Sequence, residues 1–136
     1  MTARYLADAE ALNHYLFDAL PPAASDVFDR GEAGLDTIET SDVQLMETLF
    51  SAARSVEVAG YTFDGEPQVV LVELVRDGPV DLLAVDFDDL GVYGSVAKDL
   101  TMHDAVLVAA YQRRDIDAVL TSDEAIDTYG VDTIWD

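Results

Sequence analysis

Cysteine is absent from the chain. That excludes disulfides, thiolate metal sites and cysteine nucleophiles. Lysine is almost absent too, Lys98 being the only one, and 7 basic residues face 28 acidic ones for a net charge of -21. A chain this negative is a poor nonspecific nucleic-acid binder at low salt, so any polyanion must be held by local basic residues, a metal or shape. No uncharged apolar run approaches the ~20 residues that span a bilayer. The opening stretch MTARYLADAE lacks a basic region leading into an apolar one. A soluble, cytoplasmic protein is the expectation. Internal repeats, low-complexity segments and flexible linkers are also missing.

What is present is a core. Half of the 136 residues are hydrophobic, so the charge is not that of a disordered chain, and the length suits one domain, residues 1–136. The surplus of Asp with so little Lys makes sense in concentrated salt, where repulsion is screened within a few Å. A halophilic protein is therefore expected. The alternative is an acidic mimic of nucleic acid that binds basic proteins, but that role needs no acids on apolar helix faces. Most of the carboxylates read as a solvated shell.

Two do not, and both lie in TMHDAVLVAAYQRRDIDAVLTSD, Thr101 to Asp123. With Thr101 as cap, a helix to about Arg114 puts Asp104 on one face with Leu107, Val108 and Tyr111. Ala118 to Thr121 then reads as a short buried strand, which leaves Asp123 at its carboxyl end, where open α/β sheets bind ligands. The chain start repeats the pattern: Tyr5 to Ala7 as strand, Asp8 at its end, then Leu12, Tyr15 and Leu16 at helical spacing. A short helix is expected between Ala23 and Gly34, and a strand over Leu35 to Ile38. Ser41 and Gln44 form a capping-box pattern before a helix with Val43, Met46, Phe50 and Ala53 on one face, which aims Glu47 at the interior. Gln68 to Val75 and Val80 to Val85 pass as a β-hairpin on local propensity, although Pro67 also suits the first turn of a helix running to Arg76. A helical region follows from Asp86 or Asp88 through Lys98, and Val131 to Ile134 closes the chain as an edge strand.

Asp8, Glu47, Asp104 and Asp123 thus come from two strand ends and two helix faces. Gathered in one partly buried cleft they would take up protons unless a cation kept them ionised. Oxygen ligands without His or Cys suit Mg²⁺ or Mn²⁺.

RYLADAEALNHYL, VQLMETLF, LTMHDAVLVAA and AVLTSD together resemble, in order and over nearly the whole chain, the motifs of PIN-domain nucleases, particularly the small toxins of VapBC toxin–antitoxin pairs. In that family a Thr or Ser and often an Asn follow the first acid, where Ala9 and Glu10 follow Asp8 here. The resemblance implies a three-layer α/β/α fold on a five-stranded parallel sheet of order 3-2-1-4-5, and it turns Gln68 to Arg76 towards helix. It implies Asp8, Glu47, Asp104 and Asp123 as metal-binding, catalytic acids, with Thr121 or Ser122 helping to hold ligands or water. It further implies one or two Mg²⁺ or Mn²⁺ ions, hydrolysis of RNA to a 5′-phosphate and a 3′-hydroxyl, a small antitoxin partner and a homodimer. Two rivals stand beside this reading: a nuclease of RNA processing outside any toxin–antitoxin pair, and a lapsed site, marked by Ala9-Glu10, on a fold kept for binding or dimerisation.

Other marks read as structural. His103 suits a helix-start hydrogen bond or plain exposure better than a general base, and His14 stands alone on its helix. Arg113-Arg114 complements a helix dipole rather than RNA phosphates. Asp86-Phe87-Asp88 resembles a phosphatase strand end, but it lies mid-chain without the companion residues.

Overall fold

Adjacent residues of the central strands bury into opposite layers, and this alternation defines the architecture. Leu6 and Val119 face one core while their neighbours Ala7 and Leu120 face the other, the period of two that a sheet covered on both faces requires. The structure is a computed structural model that describes residues 2–58 and 60–136. Its main sheet has five strands in the order β5-β2-β1-β6-β7, all parallel. They are β1 (Arg4–Ala7), β2 (Thr37–Ser41), β5 (Val80–Leu83), β6 (Ala118–Leu120) and β7 (Thr133–Ile134). Counted within that sheet alone the order is 3-2-1-4-5, as expected, so the strands that end before Asp8 and before Thr121 are hydrogen-bonded neighbours.

Helices α1 (Ala9–Leu16), α2 (Pro22–Glu32), α3 (Asp42–Ala53) and α4 (Pro67–Leu71) cover one face around Leu12, Phe28, Ile38, Leu45 and Leu74. Helices α5 (Phe87–Val96) and α6 (Met102–Arg113) cover the other around Val96, Leu107 and Val108, joined by Ile126 of a 3₁₀ turn, Glu124–Tyr129. Among the described residues no helix is long and apolar enough to cross a membrane.

Several expectations are corrected. The second strand starts at Thr37, not Leu35. Asp36 is tied to Arg30 and to the Ala3 amide, so ladder pairing with β1 begins only at Thr37 opposite Arg4. Gln68 to Arg76 is helical, as the family resemblance implies, and not the hairpin arm that local propensity also allows: α4 opens on Pro67 and runs into one π-helical turn, Val72–Arg76, because Val70 and Leu74, four apart, bury on one face. Gly78 then lets the chain double back, since a Cβ there would meet the Glu73 carbonyl oxygen at 2.0 Å. A small antiparallel hairpin, β3 (Glu57–Val58) with β4 (Tyr61–Thr62), was not expected. Helix α3 is rotated from the face inferred: Gln44, Leu45, Thr48 and Ala52 are buried, while Met46 and Phe50 are 59% and 58% exposed. The rotation follows from Gln44, whose buried side-chain amide finds two backbone partners, the Ala9 amide and the His103 carbonyl.

Candidate functional site

Asp8 follows the last residue of β1 and caps α1. Its amide donates to the Leu120 carbonyl, and its Oδ1 accepts the Ala11 amide at 2.7 Å. Oδ2 accepts the Thr121 hydroxyl at 2.5 Å. Only 9% of Asp8 is exposed. Burial pushes its carboxyl up to about 7, with Glu10 and Glu47 adding repulsion, against the stabilising hydrogen bonds from Thr121 and Ala11. Thr121, itself buried, is thus the group that orients this acid.

Asp104 lies in the first turn of α6, where its amide donates to the Thr101 Oγ1 cap at 3.2 Å. It is 8% exposed. Burial first, and then hydrogen bonding to Asp123 and that residue's charge, push its carboxyl up to about 6. Asp123, exposed, also caps the 3₁₀ turn through the Ala125 amide. Two such acids side by side favour a shared proton or a cation. Glu47 projects from α3 at the cleft wall, not into the interior, and its Oε2 is 3.2 Å from His103 Nε2. His103 is therefore part of the site, paired to an acid rather than free.

The four acids inferred from the sequence line one open cleft of about 400 Å³, together with Glu10, Gln44, His103 and Ser122. Besides His103, two members were missed. Gln44 is buried, its Oε1 accepting the Ala9 amide and its Nε2 donating to the His103 carbonyl, each at 3.0 Å, so one side chain binds α1, α3 and α6 together beneath the acids. The capping box inferred there is only half formed, because Ser41 accepts the Gln44 amide and the glutamine side chain does not return. The only sequence signal was a long polar residue in phase with Leu45 and Thr48. Glu10 is the other, a fifth acid whose Oε1 accepts from the Ser122 amide at 3.3 Å and from its hydroxyl.

Electrostatically the cleft is one-sided. Among the described residues no Lys or Arg is paired with Asp8, Glu10, Glu47, Asp104 or Asp123. Arg113 and Arg114 are engaged elsewhere, by Asp89 at 2.7 and 2.8 Å. Asp86 closes a full capping box with Asp89 at the start of α5, and His14 sits on the Glu10 carbonyl and edge-on to Trp135. These marks are structural. Among the described residues no three His, Asp or Glu side chains converge into a ready cation cage. The donor set nevertheless fits a hard cation that keeps several waters: its ligand oxygens are carboxylates, and two of the acids are buried with raised pKa and without a positive partner.

Solved structures share this fold. VapC20 from Mycobacterium tuberculosis, a Sarcin-Ricin loop cleaving toxin, aligns over 98% of this chain and 100% of its own with a TM-score of 0.66 and 16% identity. The fold is PIN-like. VapBC2 from Rickettsia felis, solved bound to a DNA fragment from the promoter, gives 0.66 at 14% identity over 98% of this chain and 99% of that one. No protein-family model matches the PIN-like chain, and no curated protein does.

Proposed function

We propose that the chain is a metal-dependent endoribonuclease that hydrolyses RNA phosphodiesters, and that it is the toxin of a type II toxin–antitoxin pair. The observation that carries the chemistry is Asp8: a buried acid with no cationic partner among the described residues, opening onto a cleft with the Asp104–Asp123 pair. The toxin role is supported by the likeness in fold to VapC20 and to VapBC2.

In this reading Asp8, Glu47, Asp104 and Asp123 hold Mg²⁺ or Mn²⁺. When bound, such an ion polarises a phosphoryl oxygen and lowers the pKa of water. Thr121 keeps Asp8 in one rotamer, Gln44 fixes the three helices that carry the acids, and His103 holds Glu47 at the wall. The raised carboxyls of Asp8 and Asp104 must lose protons for the cation to enter, so affinity rises with pH through about 6 to 7. The rival of a lapsed site meets a specific objection. Glu10 turns aside to Ser122, and the cleft stays open.

The partners in this reading are the RNA substrate, a small antitoxin and a second copy of the chain. Apolar surface supports protein partners: Met46, Phe50, Leu90 and Met102 are exposed, beside an apolar cavity of about 290 Å³ between α3, α5 and α6. The acid surplus supports a salt-rich cytoplasm as part of this reading, so assays belong at high salt. A broad RNA panel incubated with Mg²⁺ or Mn²⁺ at high salt is the test. Cleavage that chelator abolishes is the expected result, and no cleavage of any RNA overturns the proposal.

A further inference from the structure

We propose that Glu10 is a positioning residue: by bonding to Ser122 it fixes the turn that carries Asp123 and so holds that acid beside Asp104. This deepens the metal-site reading above and rests on it only for its consequence, not for the contact itself.

The turn needs such a tie. Strand β6 ends at Leu120, and Ser122, Asp123 and Glu124 are all exposed, so apolar burial does not hold them. Two side chains do. Buried Thr121 accepts the Asp123 amide at 3.1 Å while donating to Asp8. Glu10, from the first turn of α1, accepts both the Ser122 amide and the Ser122 hydroxyl. Among the described residues it is the sole side chain bonded to Ser122. Glu10 is itself well placed for this, since it is the second residue of α1, whose first turn Asp8 caps. One helix start therefore delivers both a buried acid of the cleft and the strut for another. Asp8 with Thr121 and Glu10 with Ser122 tie the start of α1 to the chain just beyond β6.

The contact makes a prediction that separates a tie from a charge. A glutamine amide oxygen accepts the same two hydrogen bonds without the negative charge, whereas an aspartate keeps the charge and falls one carbon short, about 1.5 Å. If Glu10 positions Asp123, Glu10→Gln resembles wild type and both Glu10→Ala and Glu10→Asp fail. If Glu10 instead binds the cation directly, Glu10→Asp retains more than Glu10→Gln.

Two readouts test this. Amide hydrogen exchange at Ser122, followed by NMR in the metal-free protein, should quicken about tenfold or more in Glu10→Ala and Glu10→Asp and stay near wild type in Glu10→Gln. Mn²⁺ affinity by calorimetry should fall about tenfold in the same two variants and hold in Glu10→Gln, the loss typical of a residue that orients a ligand. Unchanged Ser122 exchange in Glu10→Ala overturns the proposal. So does affinity that follows charge, with Glu10→Asp retaining it and Glu10→Gln losing it. Wild type that binds no Mn²⁺ sinks the metal reading instead, and the exchange arm still decides the tie.

Discussion

Asp8 and Asp89 are both buried acids at the start of helices, and their carboxyls move in opposite directions. Asp89 is 3% exposed. Burial alone would raise it, but hydrogen bonds from Arg114, the Asp86 amide and Arg113 outweigh that and hold it well below the usual carboxylate range. Among the described residues Asp8 receives one hydroxyl and one amide and no cation, and it rises to about 7. The chain has only 7 basic residues. Arg4, Arg30, Arg113 and Arg114 go to acids of the scaffold, at Glu39, Asp36 and Asp89. The difference teaches that positive charge is scarce and is placed where it holds elements together. The cleft at the strand ends is left without a Lys or Arg partner among the described residues.

If that contrast is right, the two acids answer substitution differently. The largest effect falls on activity: Asp8→Asn or Asp104→Asn should cut metal-dependent RNA cleavage by about 100-fold or more, while metal-free thermal stability stays level or rises because an uncompensated buried charge is gone. A fall in metal-free stability in both variants would instead make these acids scaffold. Next comes Asp89→Asn, which removes the acid that joins α5 to two arginines of α6. It should destabilise by roughly 3 kcal/mol in denaturant unfolding, since breaking a buried ion pair strands its partners.

The pH response should split in the same way. Asp8 has a folded pKa raised above its unfolded value, so the folded state binds the extra proton: its contribution to metal-free stability is present at low pH and is lost as pH rises through about 7. Asp89 has a lowered pKa, so its contribution is present above the ordinary Asp value of 3.8 and is lost as pH falls below it. Wild type should therefore gain stability from pH 7 to about 4 relative to Asp8→Asn, and saturating Mn²⁺ should reverse that trend. Equal pH profiles for the two proteins would remove Asp8 from the explanation. The smallest effect is expected at the cleft wall, where the His103–Glu47 pair is substantially exposed on both sides. His103→Ala should change stability by less than about 1 kcal/mol.

What the sequence made legible follows the strength of local signals. Thr101 as cap and Asp104 in register with Leu107 and Val108 left one helix phase, and the run Ala118 to Leu120 left one strand. Those two segments alone put Asp104 and Asp123 at one end of a sheet. Helix α3 was misphased because Val43, Met46 and Phe50 offer an apolar stripe as good as the real one, and only the tertiary partners of Gln44 decide between them. On local propensity alone Gln68 to Arg76 is ambiguous, because a short β-branched run fits strand or buried helix until Val70 and Leu74 meet the core; it is the family resemblance that turns it to helix. In the sequence Glu10 stands only as a departure at the first motif. Its partner is Ser122, 112 residues away, and no spacing rule reaches that far.

The most direct measurement is a calorimetric titration of Mn²⁺ at high salt into wild type, Asp8→Asn, Asp104→Asn and Asp89→Asn. Binding in wild type and in folded Asp89→Asn, weakened at least about tenfold by the other two substitutions, is the expected result. No binding in wild type, or binding indifferent to Asp8 and Asp104, would contradict the assignment of this cleft as a metal centre.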